Sequence, residues 1–488
     1  MRTASTSGSR ALPSPAPTHR RSGARARIVV PAVLALVAAV VYGTLGQLQW
    51  RDLVAPSWDL GIFTQLARAY GELRSPLIPI KGDGLDGAGM HLLGDHFHPI
   101  LVLLAPVWWI WPSGAALLWT QAILFALSAV PLTRLAMERL GNGVGGVAGA
   151  AYVFSFGLQS AQAVQFHEIA FGVPLLAFAL VALLRGRVMA ACVWASVLVF
   201  VKEDLGLTVA LLGLLIAWRH RAFVREGLSL AAWGGAWFLV STFVILPWLN
   251  PAGQYDYTDN LGSLLDIVVP LDKWVTVGML LLAAGLIGVR SPLILLMLPT
   301  LAWRFTGTVD FYWSWYWHYN AILMPIAVAA LIDACQGPGR WSRDAPEIAT
   351  QAVRSLRTRW VAVGASAAVT LALTTSMPLW QLTQPSSWEQ TWRAEPAAQA
   401  MAVVPEGAVV AADIPLLAPL VPEHDVQWLH GPNVRVPQCV VLDDYAFSWR
   451  DRPPVEAAAW ADEHYAQDPG AFTGLYDQGG YQVACRLL

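Results

Sequence analysis

Charged residues make up only 13% of this 488-residue chain, and they nearly cancel, to a net charge of −2. So small and balanced a complement leaves no basic footprint, which argues against nucleic acid as a partner. Cysteine is rare as well, at four residues. Cys192 and Cys335 lie in apolar runs, where a thiol packs as a small apolar group. Cys439 and Cys485 lie in the polar C-terminal segment, where an oxidising compartment allows them to pair. No internal repeat of the kind that builds two-halved transporters is visible. No small-x-small cleavage site follows the first apolar run, residues 28–45, so it reads as a retained membrane helix and not a secretory signal.

Apolar residues are in excess. They form 56% of the chain, with 24 Trp, against roughly 45–50% in soluble domains. The mean hydropathy of +0.49 points the same way, to a polytopic membrane protein. Residues 1–27, rich in Ser, Pro and Arg, predict a disordered basic cytoplasmic tail. Apolar runs at 28–46, 114–136, 144–163, 169–184, 188–201, 205–218, 228–249, 274–289, 291–303, 320–335 and 361–380 predict about eleven transmembrane helices. Alternate connections carry Arg134 and Arg139, Arg185 and Arg187, Arg219, Arg221 and Arg225, Arg290, then Arg340, Arg343, Arg354, Arg357 and Arg359. Arginine marks the cytoplasmic side, which predicts a multi-pass plasma-membrane protein with its N-terminus inside. Short strand-like segments, VPEGAVVAADIPLLAPLV and CVVLDDY, predict a small extracytoplasmic α/β domain over 385–488. The expected fold class is therefore an all-α polytopic body over 28–384 with that small domain attached.

On the opposite side from the arginines lies a first outer loop, residues 47–99, in which Asp52, Asp59, Asp83, Asp86, Asp95, His91, His96 and His98 are concentrated. Leu60, Phe63, Leu66, Ala67 and Tyr70 recur at helical spacing and predict an amphipathic helix on the membrane surface. Asp59, at its start, suits either a helix N-cap or a general base. GDHFHP supplies Asp95, His96 and His98, residue types that can hold a divalent metal ion, although a polar turn into Pro99 accounts for the same residues. KGDGLDGAG departs from the EF-hand spacing and reads as a flexible loop. The same side holds His167 and Glu168, then Lys202, Glu203 and Asp204 between two short apolar runs, then Arg304 and His318. Lys202 is a candidate phosphate anchor, with mutual neutralisation by its acidic neighbours as the plainer alternative. Trp108, Trp109 and Trp111, with the aromatics of 312–319, fit an interfacial belt.

SWDLGIF, LGDHFHPILVLLAPVWWIWP, FHEIAFGVPLLAFAL, LVFVKEDLGLTVALLGL and WYWHYNAILMP resemble the bacterial membrane family of domain of unknown function 2079, over roughly residues 30–335 and more weakly into the tail domain. The arrangement of helix, Asp-led outer loop and paired short helices also resembles the GT-C glycosyltransferases. That resemblance implies transfer of a sugar from a polyprenyl-phosphate carrier to an envelope glycan, lipid or protein at the outer face, usually with inversion and often with a divalent metal ion near the base. Asp59 matches the base by position, although Leu60 stands where the class often has a second acid. The resemblance and the residues together imply substrate contacts from Lys202, Glu203, Asp204, Arg304, His318, His167 and Glu168. A transporter or lipid flippase, with Glu168, Lys202, Glu203 and Asp204 along a translocation path, is the alternative. A scaffold whose C-terminal domain binds an envelope partner is the third.

Overall fold

The computed structural model describes residues 18–82, 84, 88–260, 262–336, 355–432, 434–449, 452–466 and 470–486. The first part of the basic tail, Asp83 and Asp86 of the Gly-rich loop, and Arg340, Arg343 and Arg354 lie outside the described residues. The chain is mostly helical. Its first helix, Thr18–Arg51, begins ahead of the apolar run, so the end of the segment expected to be disordered is helical instead. Arginine is a good helix former and extends a helix that the apolar run has nucleated. Arg27 then fastens it, donating to Asn142 Oδ1 at 2.9 Å.

Three helices are long and apolar enough to cross a membrane: Gly23–Arg51, Gly114–Leu140 and Arg221–Leu249. The shortest has 27 residues, or about 40 Å against a hydrocarbon core of about 30 Å. Asp310–Asn320 and Leu323–Ala334, bent by 68°, supply a fourth if they act as one span. The other expected spans are shorter or interrupted. Ile169–Leu184 falls where the hydropathy puts it, yet its 16 residues extend only about 24 Å. The 144–163 run divides into Asn142–Val153 and Phe156–Ala163, and Gln159 Nε2 bonds the Phe154 carbonyl freed at the break, at 2.6 Å. The 188–201 run tightens into a 3-10 turn at Val197–Phe200, just before Lys202.

Asp59–Gly71 is a helix, as its periodicity predicts, but it does not lie on an open surface. Leu60 to Ala67 are all buried, because the helix is enclosed between the helical body and the C-terminal domain. Gln65 Nε2 donates to the Val426 carbonyl at 2.6 Å, and Arg68 Nη1 to the carbonyls of Val421 and His424 at 2.7 and 2.8 Å. Gly61 makes the approach close: a Cβ there would stand 2.8 Å from Leu417 Cβ. Polar residues at helical spacing thus serve a protein neighbour where water or lipid headgroups were expected.

Two short strands, β1 (Leu77–Ile78) and β2 (Met90–His91), pair antiparallel and close the Gly-rich loop. The C-terminal domain holds a mixed sheet of β3 (Val409–Ala412), β4 (Asp425–Trp428), β5 (Cys439–Asp443), β6 (Phe472–Gln478) and β7 (Tyr481–Arg486), in the order β4-β3-β5-β7-β6. β3 is parallel to both β4 and β5, while β7 runs antiparallel to β5 and β6. Helix Ile414–Leu420 makes the β3–β4 crossover and is the element that touches Gly61. Cys439 and Cys485 face each other across β5 and β7 and form a disulfide.

Candidate functional site

Several helix ends converge on one cavity of about 1160 Å³. Asp59 starts its helix, His167 and Glu168 precede Ile169–Leu184, Lys202 precedes Leu205–Arg219, and His318 precedes Leu323–Ala334. All five line the cavity, as do Asp95, His96 and His98, so the charged residues singled out in separate parts of the sequence share one chamber. Acid and base are paired along its wall. Lys81 Nζ lies 3.1 Å from Asp95, Lys202 Nζ 2.7 Å from Glu168, His96 Nδ1 2.8 Å from Glu203, and His167 Nε2 3.5 Å from Asp59. Pairing of this kind lets so many ionisable groups leave water together.

Asp59 does not cap its helix. Trp58 occupies the N-cap position, and Asp59 stands in the first turn with its carboxylate toward His167. Its side chain keeps 28% of its surface open, against 5% for His167. Burial opposes its charge, but the hydrogen bond and charge of His167, helped by Ser57 and Lys81, hold the carboxyl at about 2. His167 is fixed in turn by its backbone: its N–H donates to Gln121 Oε1 at 3.1 Å, and its Nδ1 lies 3.2 Å from the Gln165 carbonyl. A carbonyl only accepts, so the contact with Gln165 is one that an N–H at Nδ1 makes. Gln165 sits at φ 72°, a left-handed conformation costing a β-carbon residue about 1 kcal/mol, at the turn that aims His167.

His167 also stacks on His318, ring centroids 3.7 Å apart. His98 and His318 are buried, and among the described residues the Nδ1 of each has no hydrogen-bond partner. Burial takes His98 down to about 4, so it is neutral near pH 7. Neutral imidazoles each offer one donor and one acceptor, suited to hydroxyl groups. Lys202 keeps its charge: burial opposes it, but Glu168, Glu203 and Asp204 lift its pKa above the ordinary lysine value.

Three of the expected site residues are bonded to other parts of the protein. Glu203 accepts from His96, from the Phe97 backbone N–H at 3.0 Å and from Tyr255 at 3.0 Å, and so locks the GDHFHP turn. Asp204 accepts from Trp303 Nε1 at 2.9 Å, and burial, with the Glu203 charge, pushes it up to about 6. Arg304 is fully buried and binds the Tyr312 and Ser314 carbonyls and Asn320 Oδ1, a strut for the 304–320 segment and not a cavity cation. Asp95 and His96 are held by Lys81 and Glu203, and among the described residues no group of three or more His, Cys, Asp or Glu is arranged to hold a metal ion. The residues present do not fit the metal site that the GDHFHP turn suggested.

Glu203 and Asp204 line a second, more apolar cavity of about 390 Å³, with Leu207, Phe238, Pro299, Ala302 and Trp303. His96, Lys202, Tyr257, Tyr312 and Tyr319 line both chambers and form the wall between them. Sequence reasoning missed Lys81 and Tyr257, and it missed that the C-terminal domain completes the larger cavity with Trp428, His430, Trp449 and Trp460. One signal for Lys81 was available: the sequence has three lysines, Lys81, Lys202 and Lys273, and two of them line this cavity.

No curated protein matches the chain. The family described as predicted membrane protein (DUF2079) matches residues 49–450, from the first outer loop through the Trp428–Trp449 side of the cavity. The chain, a membrane protein by composition and by its apolar helices, belongs to that family of domain of unknown function 2079.

Proposed function

We propose that this protein is an integral membrane glycosyltransferase of the GT-C kind. It takes a sugar from a polyprenyl-phosphate carrier and passes it to a hydroxyl of an envelope glycan, lipid or protein. The observation that carries this reading is the division of the site: a polar cavity holding the accessible Asp59, an apolar cavity behind it, and Lys202 in the wall they share. An amphipathic donor is divided in the same way, with its sugar among hydroxyl-binding groups, its chain among apolar ones, and its phosphate between.

The acceptor oxygen attacks the anomeric carbon from the side opposite the phosphate, the C–O bond to phosphate breaks, and its electron pair leaves on the carrier. The acceptor proton passes to Asp59. A carboxylate held at about 2 is a weak base, so it takes the proton late, once bond formation has made the hydroxyl strongly acidic, as suits an oxocarbenium-like transition state. Lys202 meets the charge growing on the phosphate by turning from Glu168, and Lys81, which also lines the cavity, assists. His98 and His318 hold sugar hydroxyls. The arginine-bearing connections support a multi-pass plasma-membrane placement with about eleven crossing segments and the cavity facing outward.

Membranes containing the protein, incubated with radiolabelled polyprenyl-phosphate sugars, are expected to yield labelled product, and Asp59→Asn is expected to abolish it at unchanged expression. Full activity in Asp59→Asn would remove Asp59 as the base. Carrier or solute moved across vesicles without any new glycosidic bond would favour the transporter or flippase.

A further inference from the structure

One side of the cavity is built by the C-terminal domain, at the carboxyl ends of its three parallel strands. Trp428 ends β4, His430 follows it, and Ser448 and Trp449 follow β5. Open α/β sheets bind ligands at this edge, where connections leave a central strand in opposite directions. Here β3 is that strand, with β4 on one side and β5 on the other.

The rings form a row. From Trp58, beside Asp59, it passes to Trp428 at 5.0 Å, to His430 at 6.0 Å, to Trp449 at 4.5 Å and to Trp460 at 6.0 Å between centroids. Trp428, Trp449 and Trp460 each pack partly on the small core of the domain and also line the cavity, so each is anchored and partly open. Polar groups accompany them: Ser448 Oγ donates to Asp413 Oδ1 at 2.9 Å, and His430 Nε2 lies 3.6 Å from the same oxygen. Arg452, at the rim, is the single Lys or Arg that the C-terminal domain contributes to the lining among the described residues. Nothing here gathers the cations that a polyanion needs.

We infer that this row is a saccharide-binding subsite. A pyranose ring has an apolar C–H face that packs on indole and a rim of hydroxyls that His430 and Ser448 can meet. Its assignment as the acceptor's place rests on the transfer reading, because the row ends at Trp58 next to the proposed base. A glycan laid along it directs its terminal hydroxyl toward Asp59.

The test uses the full-length protein in detergent and isothermal titration with maltohexaose, cellohexaose and chitohexaose. Saturable binding of at least one probe to wild type and to Asp59→Asn is expected, weakened about tenfold in Trp449→Ala, Trp460→Ala and His430→Ala. The side chain of His430 keeps 26% of its surface open, and a Tm of His430→Ala equal to that of wild type is the control that its variant keeps the fold. Absence of binding by all three probes, or binding that these substitutions leave unchanged, overturns the subsite, including the case of a protein acceptor. Transfer plays no part in this readout, so failure of the transferase reading leaves the result standing.

Discussion

Asp59 shows how far a single residue can be read from its neighbours in sequence. An acid before an apolar run suits a cap and a base equally well. The fold removes the cap by placing Trp58 at the N-cap position, and it sets His167 opposite the carboxylate. His167 touches no reacting atom in this scheme and acts by orienting Asp59, so His167→Gln is expected to lower transfer about 100-fold while leaving KM for the donor nearly unchanged. An equal rise in KM would assign His167 to substrate binding instead. Asp204 allows a prediction about pH. Its carboxyl is raised from an ordinary 3.8 to about 6, so the folded chain holds a proton there that the unfolded chain releases. Stability from this group is fully present below about pH 4 and is lost as pH rises through about 6. Asp204→Asn cannot lose it, and is expected to be the more stable form near pH 7 by up to about 3 kcal/mol, with no difference near pH 4. Thermal denaturation of both proteins at the two pH values checks the sign.

At the scale of elements, periodicity identified the Asp59–Gly71 helix but not what covers it, because a polar stripe looks the same whether it meets water, headgroups or backbone carbonyls. Gly61 bears on the difference. Gly61→Ala would drive a Cβ against Leu417 Cβ, which backbone holds in place. Overpacking of this kind costs about 1–3 kcal/mol, of which better helix propensity returns at most about 1. A lowered Tm, with earlier proteolysis of the C-terminal domain, is the expected outcome. Arg304 was legible as a charge near the aromatic belt, yet its partners are carbonyls of its own following segment. Arg304→Ala strands two buried acceptors, the Tyr312 carbonyl and Asn320 Oδ1, at about 1–3 kcal/mol each, while the Ser314 carbonyl keeps Asn320 Nδ2, so it is expected to lower stability by at least about 2 kcal/mol. An unaltered Tm with a raised KM would make it an anion site after all.

Across the whole molecule, the cavity lies between two parts of the chain that are far apart in sequence, and neither encloses it alone. Removal of residues 385–488 uncovers the buried Leu60–Ala67 stretch and opens the Trp428 side of the cavity. Its expected result is loss of transfer together with a lower Tm, measured in detergent. Wild-type transfer by the truncated chain would return the domain to a purely binding role. Composition alone determined that the chain enters a membrane, since its apolar runs are longer and more numerous than the core of a soluble domain can bury. Local pattern determined most helix positions and that a small sheet follows them, because hydrophobic period and strand-forming runs are properties of neighbours in sequence. Pairing was decided only in three dimensions. Lys81 with Asp95, Lys202 with Glu168 and His167 with Asp59 join residues from separate elements, and the energy of a buried charge depends on what stands within a few ångströms of it and not on its place in the chain.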